Sequence, residues 1–150
     1  MTRTQDEVTF GPGWFAADGH GGELELVIPY TDNRTTLAAL ERAAAMLAGL
    51  NARILLVAVH TLPYPQPFNC PSAVHAHLVS QLVEISYHCP LPVQPQVVLA
   101  RDIEEGFRYA LKPSSTVLLA TRRGFWRSRE ERLARMLSRD GHKVALLQLI

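Results

Sequence analysis

Two short aliphatic runs constrain the fold of this chain more than any other feature. Arg53 to His60 reads RILLVAVH and Thr116 to Thr121 reads TVLLAT, with only apolar residues between the end positions. A strand with one wet face alternates polar and apolar. A run that is apolar at every position needs cover on both faces, which a parallel sheet with crossover helices supplies. The rest of the chain fits that frame. Glu23 to Tyr30 (ELELVIPY) alternates and then turns apolar, as a strand entering a buried sheet does, and Pro29 marks its end. Asp32 or Asn33 is placed to cap a helix with Leu37, Leu40, Ala44 and Leu47 on its apolar face and Gly49 as its stop.

The pattern continues to the last residue. Thr61 to Asn69, with three prolines, reads as a loop, and Pro71 opens a helix reaching Tyr87 with Val74, Leu78, Leu82 and Ile85 facing inward. Val93 to Ala100 is a third strand, and Pro95 places it near the sheet edge. Asp102 starts a short helix to Leu111 with Ile103, Phe107 and Ala110 inward. Thr116 to Thr121 is the fourth strand, a helix follows between Arg127 and Ser138, Asp140-Gly141 stops it, and Val144 to Ile150 is the fifth strand. The order is βαβαβαβαβ. Right-handed crossovers then predict an α/β fold, a five-stranded parallel doubly wound sheet in the order 3-2-1-4-5.

The chain has 150 residues, 47% of them hydrophobic, and two cysteines. One domain of this size buries about 68–70% of the surface its unfolded chain would expose, so its core needs no disulfide or metal. Residues 23–150 are read as that domain. Residues 1–22 hold five of the nine glycines, interleaved with Phe10, Trp14 and Phe15, and are read as a flexible glycine- and aromatic-rich arm. Three large aromatics are costly to leave in water, which gives the arm a packing role on this subunit or a neighbour. No apolar run reaches the roughly 18 residues of a membrane span. Met1 to Glu7 is polar with no apolar stretch behind it, so a cytoplasmic location is expected. Cys70 and Cys89 flank one helix, about 28 Å apart at about 1.5 Å per residue, and are read as structural.

In open α/β sheets a ligand binds beyond the carboxyl ends of the strands, where the strand order reverses. For the order 3-2-1-4-5 that place lies between strands one and four. The candidate residues are Tyr30, Thr31, Asp32 and Asn33 after the first strand, and Thr121, Arg122, Arg123 and Gly124 after the fourth.

At these positions the chain resembles the universal stress protein family. The resemblance is carried by Val27-Ile28-Pro29-Tyr30-Thr31-Asp32, by the helix Leu37 to Leu50 leading into Asn51-Ala52-Arg53, by Val117 to Thr121 running into Arg122-Arg123-Gly124, and by Lys143 to Ile150. It implies an adenine nucleotide alpha hydrolase-like sheet and a homodimer paired through the last strand, with Val144, Leu146, Leu147 and Leu149 at the interface. Nucleotide-binding members carry Gly-x2-Gly-x9-Gly-Ser/Thr from the end of strand four. Here those positions fall on Ala120, Arg123, Leu133 and Ala134, none of them glycine or hydroxyl-bearing. The resemblance therefore implies the fold without its ATP loop, and neither ATP nor another cofactor is expected.

Arginine stands where glycine would. The net charge of +1 splits into −4 over residues 1–120, with seven basic against eleven acidic residues, and +5 over residues 121–150, with eight against three. Two readings follow. Arg122 and Arg123, with Thr31, Asp32 and Thr121, form a site that captures a nucleotide or small anion by side-chain forks. Alternatively the arginines are a solvated helix face paired with Glu130 and Glu131. A pI near 7.9 and the lack of a recognised motif disfavour nucleic acid.

No metal site is expected, because His75 and His77 point about 200° apart on a helix and no zinc spacing occurs. No catalytic residue is assigned either. GxSxG, GxGxxG and Walker motifs are absent, and Ser114 and Ser115 stand at the wrong end of strand four for chemistry. A receiver domain is excluded because strand three ends in Ala100-Arg101 where that fold needs an aspartate. The chain reads as a non-catalytic, dimeric stress-response or regulatory interaction module with an unidentified protein partner, the alternative being the nucleotide or anion sensor.

Overall fold

The computed structural model describes residues 24–62, 73–122 and 129–149. The glycine-rich arm, Cys70, the segment Arg123 to Ser128 and Ile150 lie outside the described residues. Pairing begins where the sequence turns apolar. β1 (Leu24–Pro29) runs parallel to β2 (Ala52–Thr61), with Leu24 opposite Ala52 and Pro29 opposite Val57. β3 (Val93–Ala100) adds parallel to the outer side of β2, and β4 (Thr116–Arg122) joins β1 on the other side with Val27 opposite Val117. β5 (Lys143–Leu149) completes the sheet against β4, in the order β3-β2-β1-β4-β5. The predicted fold class and strand order are observed. Pro95 is accommodated because β3 is an edge strand, so its missing N–H is not needed on the outer side.

Among the described residues four helices cover the sheet: α1 (Asn33–Met46), α2 (Ala73–Ser86), α3 (Ile103–Ala110) and α4 (Arg129–Arg139). The pleat sends alternate side chains to opposite faces, and each face has its own core. Leu26, Ile28, Ile54, Leu56 and Leu118 meet Leu40 and Ala43 of α1 and Leu82 of α2. Val27, Val57, Val117 and Leu119 meet Phe107 of α3 and Leu137 of α4 on the other side. Each fully buried aliphatic side chain contributes about 1.5–3 kcal/mol, so strands apolar on both faces are what make the two-layer cover stable.

Three sequence-based facings are corrected. α1 buries Thr35, Thr36, Ala39, Leu40 and Ala43, so its inner stripe is rotated away from Ala44. The threonines are tolerated inside because they are hydrogen-bonded: Thr36 Oγ1 accepts from the Thr31 N–H at 3.2 Å, and Thr35 bonds to Asp32. Val74, expected inward on α2, is 56% exposed. Ile103, expected inward on α3, is 45% exposed and forms a cavity wall instead. α1 ends at Met46 with Leu47 as its C-cap, and Gly49 stands in the turn beyond it, in the left-handed region at φ 82°.

α3 lies unusually close to the sheet. A Cβ on Gly106 would stand 2.4 and 2.7 Å from the two γ-methyls of Val59, so only glycine permits this approach of helix to strand. The approach brings Ile103 and Phe107 to the carboxyl end of β2.

Candidate functional site

β1 ends at Pro29 and hands over to a three-residue turn, Tyr30-Thr31-Asp32, before α1 begins. That turn divides the space beyond the strand ends into two compartments. One is a cavity of about 220 Å³ at the end of β2, walled by Tyr30, Thr31, Ala58, Val59, Leu78 of α2, Ile103 and Phe107 of α3 and Leu133 of α4, with Arg129 the one charged residue among its described walls. The other is an open polar notch at the end of β4, between the N-termini of α1 and α4, formed by Asp32, Thr35, Thr121, Arg122 and Glu130. The predicted set Thr31, Asp32, Thr121, Arg122 and Arg123 is thus divided. Asp32, Thr121 and Arg122 meet in the notch, Thr31 belongs to the cavity, and Arg123 lies outside the described residues.

Asp32 is the N-cap of α1. Its Oδ1 accepts from the Thr35 N–H at 2.8 Å and its Oδ2 from the Thr35 hydroxyl at 2.9 Å. Burial pushes its carboxyl up, but the Thr35 bonds and the Arg122 guanidinium together outweigh burial and hold it below the ordinary carboxylate value. Tyr30 moves the other way. Burial first, and then the negative charge of Asp32, raise its phenol above the usual value. It stays a hydroxyl donor at neutral pH, bonded to Asn33 Oδ1 on α1 and 3.5 Å from Gln81 Oε1 on α2.

The first turn of α4 carries Glu130 and Glu131. Glu130 is 8% exposed and faces the notch. Negative side chains at a helix N-terminus are stabilised by the helix dipole, which makes this end a ready anion site. Here that first turn already carries two carboxylates of the chain. The notch therefore holds two carboxylates, Asp32 and Glu130, against one described guanidinium, Arg122. The solvated-face reading makes Glu130 a surface partner of the arginines, and its inward turn corrects that. Arg129, Arg132, Arg135 and Arg139 are all exposed, as a solvated helix face requires.

The cavity was missed as well, because its walls come from residues far apart in sequence. Gly106 in the middle of a short helix was the available signal, since an interior glycine marks a close backbone approach. Among the described residues, no cluster of three or more histidine, cysteine or acidic side chains is placed to hold a metal ion, and no helix is long and apolar enough to cross a membrane.

At the sheet edge, β5 presents an outer side that no described strand pairs. Val144 and Leu146 pack partly toward the α3 and α4 core, and Leu149 toward the α1 and α2 core. Leu147 is fully buried inside the subunit, so its side chain is no part of a surface.

Among solved structures, a universal stress protein family member from Burkholderia pseudomallei superposes with a TM-score of 0.53, over 81% of this chain and 93% of that one, at 16% identity. A universal stress protein in complex with cAMP superposes with a TM-score of 0.52, over 81% of this chain and 94% of that one, at 13% identity. The fold is that of the universal stress proteins. No family model and no curated protein matches the sequence. Within this universal stress protein fold, the positions where the resemblance expects the glycine loop are occupied differently. Ala120 is buried in β4, and Leu133 and Ala134 stand in the second turn of α4, packed toward the core.

Proposed function

We propose that this chain is a non-catalytic, dimeric module of universal stress protein fold that works by regulatory interaction and does not hold a triphosphate in its crevice. One observation carries the reading: the polar notch is lined by two of the chain's own carboxylates against one described guanidinium. Asp32 is committed to capping α1, and Glu130 in the first turn of α4 adds a second negative charge that opposes a phosphate in the notch. A carboxylate bonded twice to Thr35 and held below its ordinary pKa is a poor general base, which argues against hydrolysis. The apolar β5 edge supports a dimer, since a long unpaired hydrophobic edge invites aggregation unless covered. Light scattering at micromolar concentration tests the assembly: a dimer is expected, and monomer alone overturns it.

A second reading has its own support. The open notch beside Arg122, and the cAMP held by a structurally similar protein, favour a nucleotide or small-anion sensor using Arg122 and Arg123. A thermal-shift panel of ATP, AMP, cAMP and inorganic phosphate separates the two. The sensor requires stabilisation by at least one of them that Arg122→Ala abolishes, whereas the interaction module shows none.

A further inference from the structure

We propose that the aromatic segment Phe10 to Phe15 of this chain docks along the outward face of α2 in the same subunit. α2 is AVHAHLVSQLVEIS, and it carries one charged residue, Glu84, in 14. α4 carries six in 11. A surface helix normally opposes its apolar stripe with a charged one, and a helix apolar on both sides is covered on both sides. α2 buries only Leu82 and Ile85 against the sheet. Its outer side repeats Ala76, Val79 and Val83, and Tyr87 in the turn just after the helix continues the row at steps of three, four and four, all exposed, with Tyr87 at 83%. This is the spacing of a seam made to receive another element.

Position and length identify the occupant. α2 returns antiparallel to the strands, so Tyr87 stands at the end of the sheet where Leu24 begins β1. α2 packs on β3, two strands away from β1. At about 4.8 Å per strand and about 10 Å for the helix diameter, the outer face of α2 lies on the order of 20 Å from the start of β1. The nine residues from Phe15 to Leu24 span up to about 30 Å when extended, so the aromatics can reach Tyr87 and Val83. Gly19, Gly21 and Gly22 in that connection permit the reversal of direction the path requires. The chemistry matches too. Residues 8–17 contain no charged side chain, and Phe10, Trp14 and Phe15 offer flat faces to a row of valines and a tyrosine ring.

The test uses the full chain with Trp126→Phe, which leaves Trp14 as its only tryptophan. Trp14 fluorescence is expected to be blue-shifted from that of free tryptophan, shielded several-fold from iodide, and independent of protein concentration. Val83→Glu, and separately Tyr87→Arg, are expected to expose Trp14 to iodide while far-UV circular dichroism stays unchanged. Tyr87 touches so little of the domain that its substitution carries the test even if Val83→Glu unfolds the chain. A Trp14 fully accessible in the parent, one shielded but indifferent to both variants, or shielding lost on dilution, which would mean docking on another molecule, overturns the proposal.

Discussion

The two compartments beyond the strand ends share one partition, the Tyr30 to Asp32 turn, yet are built from opposite chemistry. The cavity is held open by backbone geometry, because Gly106 lets α3 come down on Val59 and carry Ile103 and Phe107 over the end of β2. The notch is held by charge, with Asp32 and Glu130 around Arg122. The difference teaches what kind of guest each compartment suits. The cavity offers mostly apolar walls with Arg129 beside them, whereas the notch presents two carboxylates against one described guanidinium. An anion entering the notch meets like charge from Asp32 and Glu130, and an apolar guest in the cavity meets apolar walls.

Breaking the cavity's geometry produces the largest expected effect. Gly106→Ala gains helix propensity but drives a methyl into Val59, and overpacking of this kind costs about 1–3 kcal/mol. Urea unfolding should show that loss. Val59→Ala in the same chain should restore part of it, since the clash is with the valine methyls. A Gly106→Ala variant as stable as the parent would mean that α3 does not lie this close.

The notch answers to pH. Asp32→Ala removes an N-cap and is expected to cost about 1 kcal/mol at neutral pH. Because the folded-state pKa of Asp32 is depressed, its contribution is present above the ordinary carboxylate value and is lost as pH falls through the lower folded value. The difference between parent and variant should therefore shrink on acidification. A difference that grows at low pH contradicts the capping role.

Smaller effects sharpen the electrostatic half of the comparison. Arg122→Ala should let the Asp32 carboxyl rise toward its ordinary value, readable by carbon-detected NMR titration. Asp32→Asn should bring the Tyr30 phenol partway down, leaving the part due to burial, and ultraviolet titration reads that change.

Much of this arrangement was legible before any coordinates. The aliphatic runs gave the parallel sheet, Pro95 its edge, and the strand order put Asp32 and Arg122 together across β1 and β4. What escaped followed from chemistry that a period count cannot see. Thr35 and Thr36 look like solvent residues until Asp32 and the Thr31 N–H satisfy their hydroxyls inside. Glu130 sits in a charge-rich helix, so its inward direction is masked by five charged neighbours on α4. The cavity joins Ala58, Leu78, Ile103 and Leu133, whose approach depends on how α3 and α4 settle on the sheet, and no local pattern encodes that.

The central claim is that the notch's own charges stand in place of a triphosphate, and ATP binding to the parent chain measures it most directly. The account predicts no thermal stabilisation by ATP, and a gain on Glu130→Gln, which removes one of the competing carboxylates. Stabilisation of the parent approaching the roughly 2.7 kcal/mol expected at 100 times the dissociation constant, abolished by Arg122→Ala, would contradict it.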